Sequence, residues 1–183
     1  GLDNTFVFEN PRRGWKISKF IPDCKNLDPK NDAQLQKAMT MARQLHESDA
    51  TVERRFSFYD EGKGYEQSLL ARGPIDVTDW ADMEAQATEL HKLLEAESGE
   101  PVLCHNDFFS LNFLVEENGN VSLIDWEYAG MSDYANDFGT FCVCDQLDEE
   151  EMHRALTHYF GRTPTDAEWR HNLAQVGMAG WCW

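Results

Sequence analysis

The stretch Val102-Leu103-Cys104-His105-Asn106-Asp107, followed by Asn112 and then by Ile124-Asp125-Trp126-Glu127-Tyr128-Ala129-Gly130, decides how this chain is read. Apolar runs at 102–104, 113–115 and 121–124 have the length and residue types of short strands. The last two flank Glu116-Glu117-Asn118-Gly119-Asn120, a hairpin signal built on Asn-Gly. Each polar cluster therefore stands at the end of a strand, and folding the hairpin brings Asp107, Asn112 and Asp125 together. Three side-chain oxygen donors suit a hard cation such as Mg2+ rather than zinc. Magnesium keeps positions open for phosphate oxygens, which points to phosphoryl transfer.

Outward from this centre, alternation predicts strands over 5–9 and 15–21, joined through Asn10-Pro11-Arg12-Arg13-Gly14. Pro22-Asp23 stops the second strand, and 24–31 reads as a loop. A helix from Asp32 carries Leu35, Met39, Ala42 and Leu45 on one face and ends with Arg43 to His46. Residues 48–77 are mixed, with Phe56, Phe58 and Tyr59 anchoring a connecting segment. A second helix over 79–97 turns Trp80, Met83, Ala87, Leu90 and Leu94 inward and ends before Gly99 and Pro101. Three more are predicted over 133–146, 149–160 and 165–183. Gly161 closes the second of these and a Thr165-x-x-Glu168 capping box opens the third. The order is α+β in kind.

Composition narrows the function classes. The chain has 183 residues, 42% of them hydrophobic and 12% aromatic, enough to bury a core without disulfides. No apolar run approaches a membrane span, and the first residues do not read as a signal peptide. There are 33 acidic and 16 basic residues, a net charge of −17, and no basic patch. Such a surface repels nucleic acid and suits either plain solubility or cationic partners. The five cysteines have neither disulfide-like nor zinc-like spacing and read as reduced thiols of a cytoplasmic protein. The sequon Asn120-Val121-Ser122 is taken as chance.

His-x-Asp, Asn112 and a second Asp on the next hairpin, within residues 102–141, resemble the catalytic and metal-binding segments of kinase-fold phosphotransferases. His105-Asn106-Asp107 and the absence of Phe-Gly after Asp125 resemble the aminoglycoside phosphotransferase and choline kinase branch. Ile124 to Gly130, followed by Asp133 and Asp137, is most similar to choline/ethanolamine kinases of the LicA type. The resemblance implies a protein-kinase-like fold and an ATP- and Mg2+-dependent transfer to the hydroxyl of choline or ethanolamine. Asp107 would be the base, and Asn112 and Asp125 would hold magnesium. His105 would brace the catalytic loop rather than react. Glu127 would support the metal shell or the substrate cation, and Tyr128 would offer its ring to an ammonium group. Trp181 and Trp183 either complete that box or are plain core aromatics. Asp133 and Asp137 read as a helix cap and a loop anchor.

The resemblance also has gaps. The family's Gly-rich loop, phosphate-binding Lys and partner Glu are missing from these residues. Residues 1–23 would be the last strands and hinge of an N-terminal lobe, with backbone near Phe20 and Ile21 facing adenine. Residues 24–183 would be the helical C-terminal lobe, stopping inside a helix. The chain would then be a piece of a larger enzyme, weak alone and able to self-associate through its exposed lobe interface. Two alternatives stand beside choline: another acceptor such as an aminoglycoside, or a catalytically silent pseudokinase. A metal-dependent hydrolase would need a second ligand cluster, and none has suitable spacing.

Overall fold

A computed structural model covers residues 1–183 and contains six short strands and six helices. Strands β1 (Phe6–Asn10) and β2 (Trp15–Ser18) form an antiparallel hairpin. Three helices follow: α1 (Asp32–His46), α2 (Phe58–Leu70) and α3 (Trp80–Glu97). The strand group is β3 (Val102–Cys104), β4 (Phe113–Val115), β5 (Val121–Leu123) and β6 (Gly130–Ser132). The chain ends in α4 (Ala135–Cys144), α5 (Glu149–Phe160) and α6 (Asp166–Cys182). All three sheets are two-stranded: β1–β2, β3–β6 and β4–β5.

Local chemistry sets most boundaries. In α1, Asn31 caps the first turn by accepting from Gln34 N, and Leu35, Met39, Ala42 and Leu45 are all buried as the periodicity predicts. Capping boxes open both α5, with Asp148 and Glu151, and α6, with Thr165 and Glu168. Gly161, at φ 67°, takes the left-handed turn that closes α5. The larger core gathers Leu35, Met39, Phe108, Phe113, Phe141 and Leu156 between α1, α4, α5 and the β4–β5 hairpin. Phe108 is fully buried against Phe113 and Phe141, at ring separations of 4.9 and 6.0 Å. Burying such a ring stabilises by roughly 1.5–3 kcal/mol, and it pins the residue that follows Asp107. A smaller cluster joins Phe56, Phe58, Leu94 and Met178 between α2, α3 and α6.

Four features differ from the sequence reading. Helix α2 occupies part of the segment expected to be mixed. Gly62 and Gly64 weaken its helix signal, yet the Ser57 side chain caps it by accepting from Asp60 N. Strand β2 ends at Ser18 rather than Ile21. The pairing ends at Phe6↔Ser18 with one further bond, Lys19 N–Thr5 O at 2.7 Å, and Thr5 N is taken by the Asp3 carboxylate at 2.8 Å, so residues beyond Lys19 have no strand partner. Met83 is 41% exposed instead of inward, since α3 packs on α6 and α2 and turns only Ala87 and Leu94 fully into the protein. Strand β6, three residues long, pairs with β3 across Cys104↔Gly130, a long-range pairing with no local pattern.

The two α2 glycines make opposite predictions. A Cβ on Gly62 would run into the six-membered ring of Trp181, whereas one on Gly64 meets nothing within 4 Å. Gly64→Ala should therefore stabilise the protein by about 0.5–1 kcal/mol through helix propensity. Gly62→Ala should destabilise it by about 1–3 kcal/mol, because overpacking exceeds the propensity gain. Urea denaturation of the two variants checks both signs, and a stabilised Gly62→Ala would refute the packing account.

Candidate active site

The site is assembled at the mouths of two hairpins. The β4–β5 register pairs Phe113 with Leu123, and Ile124 N donates to Asn112 O at 2.9 Å. Asn112, in the single 3-10 turn before β4, is thereby fixed beside the segment that carries Asp125. The Asn112 amide donates to both Asp107 O and Asp107 Oδ2 at 2.8 Å. With both amide hydrogens used, its Oδ1 remains as a ligand atom.

Asp107 is half-buried, and burial pushes its carboxyl above the usual aspartate value. The Asn112 hydrogen bond works against that shift, while the charges of Asp125 and Asp137 reinforce it. Asp125 is exposed and sits in the left-handed region at φ 65°, ψ 62°. It faces a cleft of about 500 Å³ shared with Asp3, Phe6, Lys16 and Glu127, whose far wall is the β1–β2 hairpin. Asn112 Oδ1 and the Asp125 carboxylate are both oxygen donors, the ligand chemistry that suits magnesium.

The loop before Asp107 is held from behind. His105 is fully buried, and its Nε2 donates to Ile124 O at 2.8 Å, tying the loop to the residue before Asp125. That bond leaves Nδ1 without a hydrogen-bond partner, and the ring packs edge-on against Trp126 at 4.8 Å. His105 is thus held behind the loop by the Ile124 carbonyl and the Trp126 ring. Asn106 adopts the left-handed conformation at φ 64°, which Asn tolerates better than most residues. Its side chain donates to Tyr128 O at 3.1 Å and accepts from Ser132 Oγ at 2.8 Å.

Asp137, buried in the first turn of α4, completes the support. Its oxygens accept from His105 N at 3.0 Å, Asn106 N at 2.6 Å and His46 Nε2 at 3.0 Å. His46 Nδ1 in turn meets Tyr159 OH at 2.9 Å. Sequence reading placed Asp137 as a loop anchor but assigned no role to Asn106 or His46. The αL tolerance of Asn was the available signal for the first. A partner 91 residues away left none for the second. His46, Cys104 and Asp137 cluster within 4.8 Å, a set able to ligate a metal in principle. Here the Asp137 oxygens are committed to backbone amides, and burial holds the Cys104 thiol well above its ordinary pKa. Asp133 precedes α4, where its Oδ1 accepts from Ala135 N at 2.9 Å and it pairs with His171.

The remaining expected residues fall into separate places. Tyr128 is half-buried, with its ring edge-on to Trp183 at 5.4 Å and to Phe56 at 6.1 Å. Trp183 also meets Phe58 at 6.0 Å. Trp181 packs on the same Phe56–Phe58 cluster but stacks on Tyr59 at 5.6 Å, with its indole N–H buried and unpartnered. Glu127 is exposed on the cleft. Phe20 and Ile21 follow β2 outside any regular element, and the Phe20 side chain is 89% exposed.

A model of the phosphotransferase enzyme family matches residues 18–171. Protein LicA of Haemophilus influenzae is 24% identical over 168 residues, which cover 89% of this chain and 62% of that protein. A choline/ethanolamine kinase family protein from Mesorhizobium loti superposes with a TM-score of 0.86 at 22% identity, covering 100% of this chain and 63% of that one. Choline kinase LicA from Streptococcus pneumoniae gives a TM-score of 0.80 at 22% identity, covering 97% and 64%. The chain thus spans somewhat less than two thirds of these relatives, and its fold is protein-kinase-like α+β.

Proposed function

This chain belongs to the phosphotransferase enzyme family, and from that premise we propose that it carries the acceptor and metal side of an ATP- and Mg2+-dependent kinase acting on choline or ethanolamine. The observation that carries the reading is the direct Asp107–Asn112 contact, joined through Ile124 N–Asn112 O to the segment bearing Asp125. Asp107 orients the acceptor hydroxyl and takes its proton. The hydroxyl oxygen forms its bond to the terminal phosphorus as the bond to the ADP oxygen breaks. Asn112 and Asp125 would hold magnesium, which when bound neutralises charge on the phosphate oxygens. Little covalent chemistry is required, so positioning by His105, Asn106 and Asp137 is the protein's main contribution.

A small amino alcohol is favoured by the aromatic group of Tyr128, Phe56 and Trp183 beside the loop, and by an acidic surface of net charge −17. Aromatic faces receive an ammonium without demanding a hydrogen bond from it. The test is transfer from labelled ATP with magnesium to choline, ethanolamine and an aminoglycoside. It should use this chain and the longest natural product that contains it. Choline or ethanolamine should be phosphorylated. Transfer to the aminoglycoside alone would replace the acceptor assignment, and no transfer by a folded protein would refute the kinase reading.

A further inference from the structure

The face of Tyr128 that the proposed function reserves for an ammonium group already holds a cation. The Arg54 guanidinium lies 5.7 Å from the Tyr128 ring centre and 5.9 Å from that of Phe56. Both separations are inside the range at which a cation is attracted to a ring face. One arm of the guanidinium donates to Glu127 O and the other pairs with Glu61 at 3.3 Å. The Tyr128 hydroxyl lies 3.4 Å from that of Tyr65, and the Tyr65 ring is 6.5 Å from Trp183. The chain thus surrounds its own positive charge with rings, a carboxylate and a carbonyl, the partners an alkylammonium headgroup would seek.

We propose that Arg54 is a displaceable occupant of the acceptor site, a specificity-determining residue whose guanidinium leaves Tyr128 when a small ammonium-bearing acceptor binds. This rests on the acceptor reading above. The backbone at Arg54 is fixed, since Met131 N donates to Arg54 O at 2.8 Å, so the exchange is a side-chain movement. The side chain is free to make it: 41% of its surface and 32% of that of Glu61 are exposed, so the ion pair is solvated and weak. Glu61 stays behind as counter-ion. The exchange is therefore charge-neutral, one cation replacing another over the same rings. A neutral or anionic acceptor supplies no such replacement and leaves Arg54 seated.

The test is binding of choline and of tetramethylammonium, which lacks a hydroxyl and reports the headgroup alone. Dissociation constants are read by calorimetry for the native protein, Arg54→Met and Arg54→Lys. Removing the competitor should tighten binding of both ligands to Arg54→Met by roughly two- to thirty-fold. Arg54→Lys, which keeps a positive charge, should stay closer to native. Arg54→Gln serves the same purpose should the Met variant fold poorly. Equal or weaker binding by the folded neutral variants, with native binding intact, overturns the displacement and leaves the acceptor reading standing. Absence of binding to every form overturns both.

Discussion

Asp107→Asn should lower the turnover of magnesium-dependent phosphoryl transfer by roughly 10²–10⁴-fold, the range expected when a positioned base is removed. The protein should nevertheless remain folded. The Asp107 charge is held against burial and against the negative charges of Asp125 and Asp137, so a neutral amide relieves an electrostatic cost. Asn112 also keeps its bond to the backbone carbonyl of residue 107. Loss of activity should therefore coincide with unchanged or slightly higher stability, as when a group placed for chemistry is replaced by one suited to the fold. Steady-state kinetics and urea denaturation on the same preparation check both halves. Near-native turnover in the variant would remove Asp107 from the mechanism.

Asp137→Ala should have the opposite signature, with stability and activity failing together. The deletion strands two backbone amides and His46 Nε2 in a fully buried place. Leaving a buried polar group unpaired costs about 1–3 kcal/mol, and this deletion leaves three such groups together. That is a large share of the roughly 5–15 kcal/mol that holds a domain folded. Hydrogen exchange at the amides of His105 and Asn106 should rise before global unfolding, because those two protons lose their acceptor. Asp137→Asn, which retains one carbonyl oxygen, should fall between native and alanine. If the two amides stay protected in Asp137→Ala, something other than this carboxylate holds the loop.

The contrast between these aspartates shows what the sequence made legible. Asp107, Asn112 and Asp125 could be grouped because each sits at the end of a short apolar run, and an Asn-Gly turn fixes how the two runs fold back. Helices α5 and α6 were equally readable, since their caps and periodicity are local. Long-range partners were not. His46 is an ordinary helical histidine until Asp137 meets it across the fold. Strand β6 needs β3 to exist as a strand. Arg54 belongs to a stretch whose composition says only that it connects, and its place over Tyr128 follows from the pairing of that stretch with β6. Helix α2 was hidden for another reason: its glycines lower propensity, and Gly62 leaves room for the Trp181 ring.

The β1–β2 hairpin gives the cleft an uneven thermodynamic character. Two strands alone are marginally stable in water, and Phe6, Val7, Phe8, Trp15 and Ile17 are each about half exposed. The hairpin's neighbours in the chain are tied to the strand group by Leu123 N–Leu2 O at 2.9 Å, whereas the opposite wall, Asp125 to Glu127, is anchored through Trp126 to the main core. The energy needed to open the two walls therefore differs, and sub-global opening begins at the hairpin while the loop bearing Asp107 stays native. A ligand that bridges the walls gains affinity in proportion to the hairpin's closed population. Substitutions in β1 or β2 would thus change how often the cleft is complete without touching the residues that do the chemistry.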